Sequence, residues 1–253
     1  MTGAARTPRD FGETLRAIFS RYPRLLGTLL PAAVAIGLLQ AATEAAQLGG
    51  LERIEAGEVP GPAFFAVVLA GLAGNAYLWT AALLRTDSAL DGDRPGGEFA
   101  RAAGLLPAVL VYLLLYVLAV TIGLLLFALP GIFLAVLLAP GVMLIVLRGS
   151  GAFAALKRSA SLVWGSWWFS LGVMLTVTLA SAVPMAIAEA FVIDLRGSGD
   201  PAAWLKQAGA SVAAMIVVLP LVASMARTLL EALEKRGHDE LMARDLLRRA
   251  DAR

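Results

Sequence analysis

The 253-residue sequence has no cysteine and one histidine, and only 16% of it is charged. Without cysteine there is no disulfide framework, no thiolate zinc site and no thiol nucleophile. A single histidine excludes a multi-histidine metal centre. That residue, His238, lies in a polar tail, so no buried Ser-His-Asp arrangement can form. Walker loops, a His-Glu-x-x-His zinc motif and the Rossmann glycine fingerprint are also missing. An intramembrane carboxylate enzyme would need two paired acids at depth, and no apolar run contains such a pair. No catalytic residue, metal site or cofactor is therefore expected.

Apolar residues are what the chain has in excess. They make up 59% of it, against roughly half in soluble domains. They fall into runs: Leu25 to Thr43 is 19 residues without a charge, Pro62 to Leu84 is 23, and Ala102 to Leu147 is 46. Trp167 to Ile193 is 27 residues interrupted only by Glu189, and Ala208 to Ala226 is 19. A helix crosses the ~30 Å hydrocarbon core with about 20 residues. Five runs of 19 or more exceed what a globular core needs. The 46-residue run is long enough for two crossings, and Leu129-Pro130-Gly131 marks a turn inside it. The second crossing holds Pro140-Gly141 and should kink there.

The expected fold is all-α: a polytopic six-transmembrane-helix bundle with short amphipathic interfacial helices on the cytoplasmic side. Spans are expected near 25–43, 62–84, 106–129, 131–147, 167–193 and 208–230. They form a membrane domain over 25–232, between an amphipathic segment at 1–24 and a charged tail at 233–253. A cleaved signal peptide is disfavoured for span 1, because its polar leader and apolar run are both long for one.

Lys and Arg near span ends set orientation. With alternating spans, one face collects 18 of them and the other 3. Both termini are then cytoplasmic, and the bacterial inner membrane is the expected location. The opposite face is acidic, with Glu44, Glu52, Glu55, Glu58, Asp194 and Asp200. The tail mixes both signs, so it reads as a solvated helix and not as a nucleic-acid arm.

Two inner segments are amphipathic. Phe11, Leu15, Ile18, Phe19 and Tyr22 share one helical face. Phe153, Leu156, Ala160, Val163, Trp164 and Trp167 share another. Each reads as an elbow anchoring the next span. The sharper alternative is contact with anionic lipid through Arg148, Lys157, Arg158 and Trp164. Gly12-Glu13, Gly97-Glu98-Phe99 and Gly151-Ala152-Phe153 each precede a span, a faint repeat. Small residues four apart mark spans 2 and 5 as central: Ala66, Ala70 and Gly74, then Gly172, Thr176, Ala180, Pro184 and Ala188. Trp164, Trp167 and Trp168 read as an interfacial belt.

An ionisable group at membrane depth is a functional candidate by default. Glu189, five residues after Pro184, is one; with Glu44 it would form an ion or ligand site near the outer face. Asn75 is the deepest strong hydrogen-bonder and pairs either with a neighbouring helix or with a ligand. The plainer reading of both acids is solvation in the headgroup layer.

From span 3 onward, Leu129-Pro130-Gly131-Ile132-Phe133-Leu134-Ala135-Val136, Ala139-Pro140, Ala154-Ala155-Leu156-Lys157-Arg158-Ser159, Trp164-Gly165 and Trp167-Trp168 form a recognisable series. It resembles the membrane domain attached to some glycerophosphoryl diester phosphodiesterases, a domain that also stands alone in six-span bacterial proteins. Arg236-Gly237-His238-Asp239-Glu240-Leu241 resembles the tail after their last span, and the likeness covers about residues 85–245. Relatives often carry an acid where this chain has Arg148. The resemblance implies six spans and an elbow before span 5. It implies no activity, since hydrolysis in the two-part relatives belongs to a soluble barrel.

The first expectation is thus a non-enzymatic inner-membrane scaffold or envelope-organising domain. Its partners would be the bilayer and a membrane or cytoplasmic protein. The alternative is a small transporter or lipid-handling protein that uses spans 4 and 5 with Glu189.

Overall fold

The computed structural model describes residues 10–55, 57–92, 96–196 and 202–251. These residues are helical throughout apart from turns and short connections, and no strand occurs among them. In chain order the helices are α1 (Phe11–Glu55), α2 (Pro62–Asp91), α3 (Glu98–Leu126) and α4 (Ala128–Leu138). There follow α5 (Gly141–Arg148), α6 (Ala152–Trp164), α7 (Trp167–Arg196) and α8 (Ala203–Asp251). Six stretches are long and apolar enough to cross a membrane: α1, α2, α3, α4 with α5, α7 and α8. The chain is an all-α, six-span bundle of the multi-pass membrane type.

The first span begins earlier than the charge pattern suggests. From Phe11 the supposed interfacial segment is the opening of α1 itself. Asp10 caps it: the carboxylate accepts the Glu13 N–H at 2.8 Å, and the backbone carbonyl accepts the Thr14 hydroxyl at 2.7 Å. Pro23 and Pro31 sit inside this helix without ending it. Packing against α8 along its length offsets their missing N–H groups. The inward face is Thr14, Ile18, Leu25 and Leu29, while Phe11 and Phe19 face outward. The Gly97-Glu98-Phe99 step likewise opens α3 directly, with no separate elbow.

The turn between spans 3 and 4 falls at Phe127, not at Pro130-Gly131. Pro130 lies in the first turn of α4, where its missing N–H has no intrahelical partner to lose. Gly131 serves packing instead. A Cβ there would stand 2.4 Å from the Leu124 side chain of α3. The second Pro-Gly step behaves as expected, and the helix breaks between Leu138 and Gly141. Side chains satisfy carbonyls around the break. The Tyr112 hydroxyl donates to Leu138 O and the Ser159 hydroxyl to Leu137 O at 2.9 Å. Tyr116 reaches Ala135 O at 3.4 Å. Gly141 lies under the Tyr112 ring with no room for a Cβ. Gly149, at φ 64°, ends α5 in the left-handed region.

The separate elbow before span 5 exists as α6, but its inner face is rotated from the expected stripe. Ala152, Ala155, Ser159 and Val163 are buried, whereas Phe153 and Trp164 point out. Small side chains let α6 lie close to α4 and α5, so the large aromatics turn away.

Spans 2 and 5 are not both central. The most enclosed spans are α8 and α4 with α5, each 56% buried over its most apolar window; α7 and α3 are 17% buried. Close approach is made at other positions. Ala66 and Ala70 face outward, while Gly71 of α2 packs on Thr43. Gly37 of α1 meets the backbone of Val212 in α8, where a Cβ would stand 2.6 Å from its Cα. The α1–α8 seam also carries a hydrogen bond from the buried Ser224 hydroxyl to Ile18 O at 2.9 Å.

The first turns of α4 pack on the start of α7. In the structure Phe133, just past the turn, stacks on Trp167 with ring centroids 5.5 Å apart. Its backbone carbonyl accepts the Trp167 indole N–H at 3.2 Å. Arg236, about two-thirds of the way along α8, lies over Phe169 at 3.8 Å. The first turns of α4, the start of α7 and the stretch of α8 around Arg236 therefore pack together.

Candidate functional site

Arginines and carboxylates from distant parts of the sequence meet where α1, α2, α5, α6 and α8 converge. Arg227 of α8 is the hub. Its guanidinium pairs with Asp87, with Asp91 at 3.1 Å and with Glu231 at 2.6 Å. Arg21 of α1 bonds Glu231 at 3.0 Å and the Thr228 hydroxyl at 2.8 Å. Arg148 grips Glu234 with two bonds, at 3.1 and 2.5 Å, and Arg158 adds a third at 3.1 Å. Arg227, Arg21, Glu231 and Glu234 are largely enclosed. Partly buried pairs of this kind lock element to element, because removing one partner strands the other charge. Arg148 and Arg158 thus hold a protein carboxylate, while Lys157 is exposed.

Beside this network lies a groove of about 920 Å³. Leu129, Pro130, Ile132 and Phe133 of α4 form one wall. Trp164 of α6, Trp167, Trp168 and Phe169 of α7, and Arg236 of α8 complete it. Edge-to-face contacts fix the aromatic wall: Phe133 to Trp164 at 5.7 Å and Trp167 to Trp168 at 4.7 Å. Trp167 is pinned by its bond to Phe133 O, while Trp164 and Trp168 stand exposed on the rim. The lining is overwhelmingly apolar with one cation at its edge, the usual character of a pocket for an amphiphile. The tryptophans are visible in the sequence as a belt. Their pairing with Leu129–Phe133 and Arg236 is a product of tertiary folding that no local pattern announces.

The other candidates stand apart from the groove. Glu189 is exposed on α7. Glu44 is exposed on α1 and accepts a hydrogen bond from the Gln207 amide at 3.2 Å. Asn75 is half-buried on α2. Among the described residues no cluster of three or more acids or histidines could hold a metal ion. A second cavity, of about 70 Å³, lies between α1, α2 and the start of α3, with Arg85 and Glu98 in its wall.

No protein-family model matches the chain, and no solved structure matches it significantly.

Proposed function

We propose that this chain is a non-enzymatic, lipid-handling protein of the bacterial inner membrane. The groove between α4 and the start of α7 seats an acyl chain, and Arg236 meets the anionic end of the same molecule. The observation that carries this reading is the aromatic wall of Phe133, Trp164, Trp167, Trp168 and Phe169 with a guanidinium at its edge. Indole rings accept chain methylenes on one side and sit comfortably at the membrane–water boundary.

The arginine-bearing end faces the cytoplasm in this proposal. Support comes from the 18-to-3 division of Lys and Arg. The α3–α4 turn carries no cation, so its position leaves that division unchanged. The likeness to the stand-alone phosphodiesterase membrane domain is compatible with lipid handling, and it is also the main support for a scaffold role. Geometry favours the groove over a transporter coupled through Glu189, since that carboxylate is exposed on α7 and lines neither of the two cavities described above.

Brominated-lipid quenching of tryptophan fluorescence in nanodiscs tests the groove. Wild type should be quenched strongly by chain-brominated phosphatidylglycerol. Trp168→Ala with Arg236→Gln should retain at least five-fold less phosphatidylglycerol in native mass spectra. Equal retention by the double variant overturns the proposal.

A further inference from the structure

The small cavity holds a combination that apolar packing does not explain. Glu98 is 5% exposed, and its Oε1 has no hydrogen-bond partner. Arg85 lines the same cavity, and its Nε is buried and equally unpartnered. The remaining wall is apolar: Pro31, Ala32 and Ala35 of α1 with Leu78, Ala81 and Ala82 of α2. A buried carboxylate is costly unless something donates to it, and a buried guanidinium edge needs an acceptor. A species that does both at once carries a donor cation and an anion a few atoms apart.

We propose that this cavity is a zwitterion site, in which Glu98 takes a primary ammonium and Arg85 takes the phosphate joined to it. Size and chemistry narrow the ligand. At about 70 Å³ the cavity holds roughly two to three waters' worth of matter, at ~30 Å³ each in the liquid. That suits the aminoethyl end of a phosphoethanolamine. A trimethylammonium is bulkier and has no N–H for Glu98 Oε1. The source is either a phosphatidylethanolamine headgroup or free phosphoethanolamine. The site does not rest on the groove reading, since it uses different helices.

Native mass spectrometry of the full chain in mixed nanodiscs tests it, with phosphatidylethanolamine and phosphatidylcholine present in equal amounts. Wild type should retain the ethanolamine lipid at least five-fold over the choline lipid. Glu98→Gln should abolish that preference, and so should Ala35→Leu, which fills the cavity while keeping both charges. If lipids are retained equally but free phosphoethanolamine raises the melting temperature of wild type and not of Glu98→Gln, the site stands with the free zwitterion as its ligand. Equal lipid retention with no response to phosphoethanolamine overturns the proposal. A preference that survives both substitutions also overturns it. Unchanged phosphatidylglycerol retention in Trp168→Ala with Arg236→Gln, with this preference intact, would sink only the groove.

Discussion

α7 and α8 carry apolar stretches of comparable length, yet α8 runs through the middle of the bundle and α7 along its edge. Hydrophobicity does not separate them. The difference lies in what interrupts it. The second half of α8 presents Ser224, Arg227, Thr228, Glu231 and Glu234, each bonded across to another helix, α1, α2 or α5. In α7 the buried hydroxyl of Ser170 and the half-buried one of Thr176 turn back onto their own helix's carbonyls. Inside a membrane, apolar packing alone offers little preference for protein over lipid, so polar bonds that cross between helices choose the centre. α7 contributes surface instead, and the groove forms where its aromatic start meets α4.

The contrast can be broken most forcefully at the hub. Arg227→Met leaves Asp87 partly enclosed without its cation and Glu231 with Arg21 alone, and should cost about 3 kcal/mol, the low end for a buried pair. A fall in melting temperature in detergent micelles of several degrees is expected; an unchanged melting temperature would mean that the network is ornamental. Gly37→Ala attacks the same helix from its seam with α1. The new Cβ meets backbone, which cannot rotate away, so about 1–3 kcal/mol should be lost. The same readout checks it, and a neutral result would show that α1 and α8 can part slightly at no cost. Glu189→Gln sharpens the comparison from the other side. On the exposed face of α7 it should change stability by less than about 0.5 kcal/mol and leave lipid retention in nanodiscs as it was. A large loss of retention would restore Glu189 as a binding group.

Much of this architecture is legible in the sequence, because a charge-free run of about 20 residues has few alternatives. Each expected span falls on a stretch long and apolar enough to cross a membrane, although α1 and α8 run on into charged sequence. Where a helix turns is harder to read. Proline is as comfortable in a first turn as in a loop, so Pro130 and Pro140 look alike in sequence and behave differently in space. The inner face of α6 escapes periodicity because Ala155 and Ser159 are buried for being small, ahead of Phe153 and Trp164. The long-range pairs are the least legible. Nothing in the neighbourhood of Arg227 names Asp87, and nothing beside Arg236 names Phe169. Glu98 is visible only as part of a weak repeat, and its isolation depends on helices that lie tens of residues away.

The break between Leu138 and Gly141 has a mechanical side. A continuous helix transmits torsion through its ladder of backbone bonds. Here that ladder is interrupted, and hydroxyls of α3 and α6 hold the loose ends. The two halves of the fourth span are therefore joined as by a knuckle. One half is moored at Phe133 to the aromatic wall, the other at Arg148 to Glu234. On the lipid-handling proposal, a chain seated against the wall would press on α4 alone, while Arg148 holds α5 to α8.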